Sequence, residues 1–197
     1  FKLDLLSKDR KLSGSAVSLE MMRGKTVALS FCSYTWPPFR KQAVRLNEIY
    51  QKYKHRVEFF TIYIREAHPS DGWQVHENLE ASIIIPDPKT DGERAEVAYT
   101  CQTKLDIHMP ILIDTIKNDV EEKYIAHPLR LFLVDADGLI AYAGGQGPMR
   151  LKLAATQHGV CGNCDLISVT RTTNDAPPNK LSNPWPIPKH ASPQEKD

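Results

Sequence analysis

The chain has 197 residues, 41% hydrophobic and 25% charged, an ordinary globular composition with enough apolar material to bury one sizeable core. Its 25 Lys and Arg against 24 Asp and Glu leave a net charge of +1, which argues against nucleic acid or an anionic membrane as a global partner. The longest apolar runs, such as Val27 to Cys32 and Ile83 to Ile85, fall far short of the about eighteen residues that span a bilayer.

The sequence starts at Phe1, so a signal or anchor ahead of it is compatible with the reading and the compartment is left open. Four cysteines, Cys32, Cys101, Cys161 and Cys164, are too few for a disulfide scaffold at this size. They are also too unevenly spaced for a complete zinc site, and neither metal nor bound cofactor is expected.

Residues 1–25 hold short alternating pieces (Phe1, Leu3, Leu5; Val17, Leu19) and a Ser-Gly-Ser turn, which predicts an N-terminal hairpin or extension. Thr26 to Phe31 is the first strong strand. From Pro38 to about Tyr53 the pattern is helical, with Phe39, Ala43, Leu46, Tyr50 and Tyr53 along one face. Val57 to Ile64 is β-branched and aromatic, a strand buried on both faces. Strand, helix and strand in that order make a βαβ unit on a parallel sheet.

Residues 65–92, rich in Pro and Gly, are mostly loop, of a length that marks functional or mobile segments. Glu93 to Leu105 is helical, with Val97, Ala98, Cys101 and Leu105 inward. Ile111 to Asp114 is a short strand and Val120 to Ala126 a helical turn. Arg130–Asp135 and Leu139–Ala143 flank an Asp137-Gly138 step that predicts a hairpin. Gly144 to Pro148 is a turn, Met149 to His158 a last helix, and the Pro-rich remainder extended. Residues 1–160 therefore form the α/β domain, and residues 161–197 an irregular C-terminal extension.

This order resembles the thioredoxin-like fold, a three-layer α/β sandwich on a central mixed sheet, with a peroxiredoxin-style N-terminal extension. In that fold the turn after the first βαβ strand carries the reactive group, where a helix N-terminus favours an anion. Residues 32–38 occupy that turn.

The motifs are more specific. Phe31-x-Ser33-x-Thr35-x-Pro37-Pro38-Phe39, the run Tyr63-Ile64-x-Glu66-Ala67-His68-Pro69-Ser70-Asp71-Gly72-Trp73, Arg130-Leu131, and Gly144-Gly145-x-Gly147-Pro148 together resemble the iodothyronine deiodinases and their bacterial relatives. The resemblance implies reductive removal of iodine from an aromatic ring by a selenocysteine or cysteine just before Pro-Pro-Phe, with an iodinated phenol as substrate, an external thiol as reductant and a homodimer as assembly. It places the nucleophile at Trp36 and the resolving thiol at Cys101. It implies proton relay and phenol binding for Glu66 and His68, and a grip on the substrate carboxylate for Arg130.

The sequence departs from that pattern at its centre. An indole cannot form the covalent redox intermediate, so Trp36 reflects a genuine substitution, a UGA codon written as Trp, or replacement of a Cys. Tyr34 stands where animal enzymes carry a further cysteine, and Ile85-Pro86 lacks the histidine that often follows. Read without the family, His68 is a solvated loop residue, Arg130 half of a structural ion pair and Cys101 a packing residue. Cys32 is the one thiol within the turn and an alternative nucleophile. Cys161-x-x-Cys164 has dithiol spacing but follows a helix instead of opening one, which suits a structural disulfide or a plain loop. Asp135, Asp137 and Gly138 are hairpin residues, with no distant Glu to complete a calcium loop. Two rival functions remain: an inactive aromatic-binding relative, and a thiol peroxidase or disulfide reductase using Cys32 or the Cys161/Cys164 pair.

Overall fold

The computed structural model describes residues 1–146. The expected helix at Met149–His158, the Cys161/Cys164 pair, the C-terminal extension and the turn beyond Gln146 lie outside the described residues.

Seven strands form one mixed sheet in the order β2-β1-β5-β4-β3-β6-β7. Its centre is the predicted βαβ unit: β3 (Val27–Cys32) and β4 (Glu58–Tyr63) pair in parallel, joined by helix α1 (Pro37–Tyr53). Alternate residues of these strands enter two different cores. Val27, Leu29, Phe31, Phe60 and Ile62 face one side, while Cys32, Phe59 and Tyr63 face the other. Burial on both faces is why both segments read as continuous apolar runs.

Helix α1 and helix α3 (Asp91–Lys104) cover the Cys32 face through Phe39, Ala43, Leu46, Ala95 and Ala98. Helix α4 (Asp119–Tyr124) covers the other through Val120 and Tyr124. The three layers are thus those expected from the sequence. Strand β5 (Ile111–Ile113) pairs in parallel with β4, and β6 (Arg130–Val134) pairs antiparallel with β3 and with β7 (Ile140–Ala143). The β6–β7 turn is closed by Asp135, whose Oδ1 accepts from the backbone N–H of Asp137 and Leu139, with Gly138 at φ +80°.

Three expectations are corrected. The N-terminal hairpin exists, as β1 (Lys2–Leu6) and β2 (Leu12–Ser18), but Ser13-Gly14-Ser15 is not its turn. Those residues lie inside β2, where the register slips between Asp4↔Ala16 and Leu6↔Leu12, and Gly14 takes φ +72° at the bulge. The turn is Ser7 to Lys11, closed by the Ser7 N–H donating to the Lys11 carbonyl. Second, the 65–92 loop contains a short helix, α2 (His76–Glu80), that buries Asn78. Third, α3 begins at Asp91 and turns Arg94 inward, while Val97 and Leu105 are only partly buried.

Candidate functional site

The chain leaves β3 at Cys32 and enters α1 at Pro37, so residues 33–36 form the predicted strand-to-helix turn. Two prolines open α1, and proline has no N–H to offer. The next two backbone donors, Phe39 and Arg40, both bond the Trp36 carbonyl, at 3.1 and 3.4 Å. Whatever favours an anion at position 36 is therefore the dipole of a 17-residue helix and not a free donor.

The turn is held from beneath by one carboxylate. Glu66, 4% exposed, lies just past β4 and accepts at Oε2 from the Ser33 hydroxyl (3.0 Å), the Thr35 N–H (2.9 Å) and the Thr35 hydroxyl (2.6 Å). Its Oε1 accepts from the Tyr63 hydroxyl at 2.5 Å. Burial and the neighbouring Glu66 charge push the Tyr63 hydroxyl well above its ordinary pKa, so it remains a donor.

The same hydroxyls bond back to the chain that carries Glu66. Ser33 Oγ accepts from the Ala67 N–H and Thr35 Oγ1 from the His68 N–H, both at 3.0 Å. The Tyr63 oxygen accepts from the Tyr34 N–H at 3.1 Å, and Asn78 of α2 donates to the Thr35 carbonyl at 2.9 Å. A charge at 4% exposure is tolerable because four donors replace its water.

His68, also 4% exposed, sits between two indoles. The Trp36 ring lies 5.3 Å from it at 30°, and the exposed Trp73 ring meets it edge-on at 4.7 Å and 85°. His68 Nδ1 is 3.0 Å from the Trp73 carbonyl, which can only accept, so Nδ1 carries a proton and Nε2 is the nitrogen able to accept a phenol O–H. The indole N–H of Trp36 is buried without a hydrogen-bond partner among the described residues.

Glu66, His68 and position 36 are thus brought together. Cys101 lies fully buried in the same apolar cluster as Cys32 and Tyr34. Burial first, and the Cys32 thiol next, push Cys101 well above the usual thiol range. Arg130 is placed differently. It pairs in register with Phe31 and lies over the Phe132 ring, on the sheet face opposite Cys32 and Cys101. Its guanidinium donates to the carbonyls of Gly144 (2.8 Å), Tyr124 (2.9 Å) and Ile125 (3.3 Å), the last two at the end of α4. Carbonyls, not an acid, hold it.

Sequence reasoning missed Ser33, Thr35, Tyr63 and Asn78 as site residues. It also missed His127, whose imidazole is pulled down to about 4 by burial and by nearby Arg65 and His68. Its Nδ1 lies 3.9 Å from Glu121, which is paired instead with Arg65 at 2.8 Å.

The iodothyronine deiodinase family profile matches residues 12–160. The chain belongs to the iodothyronine deiodinase family. Thyroxine 5-deiodinase of Ovis aries is 34% identical over 131 residues, covering 66% of this chain and 43% of that protein. The Homo sapiens thyroxine 5-deiodinase is 34% identical over 124 residues, covering 63% and 39%. The chain thus spans less than half the length of these relatives.

Among solved structures, MTB DsbF in mixed oxidised and reduced forms aligns at TM-score 0.52 and 14% identity, covering 76% of this chain and 85% of that one. The thioredoxin domain of a Bacteroides vulgatus thiol-disulfide oxidoreductase aligns at 0.50 and 16%, covering 75% and 84%. At such identities the likeness concerns the fold, which is thioredoxin-like as expected. No helix among the described residues is long and apolar enough to cross a membrane.

Proposed function

We propose that this deiodinase-family chain is a reductive dehalogenase of iodinated phenols whose turnover depends on the residue at position 36. With Trp36 in place it keeps the aromatic-binding cleft without the chemistry. The observation that carries the reading is the buried Glu66 hub. It hydrogen-bonds Thr35, the residue immediately before position 36, while the His68 ring lies against the side chain at 36 itself.

Removing aryl iodine reductively needs a nucleophile to take the iodine and a proton for the ring carbon it leaves. A selenolate or thiolate at 36 supplies the first. The second is within reach of the Tyr63, Thr35 and Glu66 chain, with His68 Nε2 placed to hold the phenol. A thiol then displaces the iodide, leaving a mixed disulfide or selenenyl sulfide at 36, and a second thiol attacks that bond, leaving as the oxidised disulfide and returning the enzyme to its reduced state. Cys101 as resolving thiol, Arg130 as carboxylate partner and a homodimeric assembly belong to the same proposal.

Trp36→Cys tests it. With dithiothreitol and an iodinated tyrosine or thyronine, the Trp36 chain releases no iodide and the Cys variant does. Silence from a folded Trp36→Cys variant overturns the reading. A mass spectrum of the peptide containing residue 36 tells Trp from selenocysteine directly, through selenium's isotope pattern.

A further inference from the structure

The two indoles that flank His68 are not alike. Trp36 is half-buried and packs on the apolar cluster of Phe39 and Leu46, whereas Trp73 is 76% exposed and meets the His68 ring edge-on at 4.7 Å. Trp73 reaches His68 a second time through its main chain, with its carbonyl 3.0 Å from Nδ1. One residue therefore touches the imidazole through two independent groups.

The carbonyl is placed by the loop and not by the indole. The Gly72 N–H donates to the Pro69 carbonyl (3.1 Å), the Ser70 N–H to the Ile85 carbonyl (2.7 Å) and the Gln74 side chain to the Ser70 carbonyl (2.8 Å). Asp71 ties this turn to the far limb of the loop, accepting from the Asp87 N–H at 2.8 Å and pairing with Lys89 at 3.3 Å. Asp87 accepts in turn from the Glu66 N–H at 3.2 Å, so the turn that carries Trp73 and the Glu66 hub form one hydrogen-bonded unit.

A carbonyl at Nδ1 fixes the proton there and leaves Nε2 a lone pair, to which no group among the described residues donates. Such a nitrogen can receive an O–H and has nothing to offer an oxygen that lacks one. Beside it stands an exposed indole, a flat apolar surface that gains by being covered.

We propose that Trp73 is the specificity-determining residue of the phenol subsite: its carbonyl makes His68 an acceptor, and its indole is the wall against which the ligand's ring lies. The subsite then takes iodinated phenols that bring their own hydroxyl proton and refuses their O-alkylated counterparts. This rests on the dehalogenase reading only in placing the phenol at His68, and it needs no nucleophile at position 36. His68 is 4% exposed, and the indole swings aside to admit a ring, since exposed side chains change rotamer on the order of nanoseconds or faster.

The test uses the full chain with Trp36 in place. Ortho-iodophenol and ortho-iodoanisole, which differ by one methyl on oxygen, are titrated into protein carrying nitrogen-15 histidine. The His68 ring signals, identified by their absence from His68→Gln, report the tautomer. The expected result is a proton on Nδ1, a bare Nε2 whose signal moves with iodophenol alone, and an affinity for iodophenol at least about tenfold above that for iodoanisole. Trp73→Ala should keep the tautomer and lose about tenfold in iodophenol affinity, with Trp73→Phe recovering most of it. So exposed a position accepts both replacements without unfolding.

A proton on Nε2, equal affinity for the two ligands, binding of neither, or undiminished binding by Trp73→Ala overturns the proposal. So does a Trp73→Ala variant whose tautomer changes along with its affinity, because the indole is then only a support for the loop. Iodide release from Trp36→Cys is read separately, so dehalogenation can fail while phenol selection stands, and the reverse.

Discussion

At the scale of single residues, the site depends on polar atoms that satisfy one another out of water. Tyr63 is the test case, because its hydroxyl donates to Glu66 Oε1 and accepts from the Tyr34 N–H. Tyr63→Phe keeps the ring in its packing and strands both partners. Urea unfolding should show a loss of about 1–3 kcal/mol, the usual cost of leaving a buried polar group unpaired. His127 gives a second test, through pH. Its imidazole titrates near 4 in the fold against an ordinary 6.5, so on acidification the unfolded chain takes up a proton that the folded chain refuses. The stabilisation is complete above about pH 6.5 and is lost as pH falls toward 4. With 32% of the side chain exposed, its size is discounted to on the order of 1–2 kcal/mol. Asp114 and Glu121, both raised by burial, act with the opposite sign, so the difference between proteins is what matters. The fall in urea midpoint from pH 7 to pH 4.5 should be smaller for His127→Gln than for wild type. Glu66 and His68 were legible because an acid and an imidazole two residues apart have an obvious proton chemistry. Ser33, Thr35 and Tyr63 stand in the same motifs but were not read as site residues, because their partners come from beyond local sequence, and a hydroxyl beside a buried acid looks like any turn residue.

At the scale of elements, long apolar runs and helical periodicity set out β3, α1, β4 and α3 to within two residues, since burial on one or both faces leaves a pattern in the letters. What failed were features fixed by tertiary context. The five-residue α2 is too short to show periodicity, and it is anchored by the Asn78 side chain reaching Thr35. Arg94 enters the core because Asp114, Thr115 and Asn118 offer it oxygens from another element. Helix α3 holds both Arg94 and Cys101, and its start is set by Thr90, whose hydroxyl accepts from the Glu93 N–H at 3.1 Å. The Glu93 carboxylate answers by accepting from the Lys89 N–H at 2.6 Å. Thr90→Ala removes the cap without touching the core and should cost about 1 kcal/mol, read as a lower denaturant midpoint with unchanged slope. Thr90→Ser should restore most of it.

At the scale of the whole molecule, the N-terminal hairpin is part of the sheet and not an appendage. Strand β1 pairs with β5 through Asp4↔Ile113 and Leu5↔Leu112, and β5, three residues long, is held only between β1 and β4. Leu3, 3% exposed, packs in the core on the α4 face with Leu112 and Val120. Without the hairpin β5 becomes an edge, and an edge of three apolar residues presents unpaired backbone groups to any other chain. The consequence should extend to the turn, because β5 is the neighbour of β4, which delivers Tyr63, and the Asp114 N–H donates to the Tyr63 carbonyl at 3.0 Å. Deleting residues 1–22 should therefore give a chain that self-associates in size-exclusion chromatography and loses cooperative thermal unfolding by circular dichroism. Leu3→Ala offers the graded version. It should leave the chain folded and cost about 2–4 kcal/mol as a cavity in a packed core. If the deletion melts as sharply as the intact chain and stays monodisperse, the hairpin only decorates the edge of the sheet. The Leu3→Ala cost should then also fall well below that range.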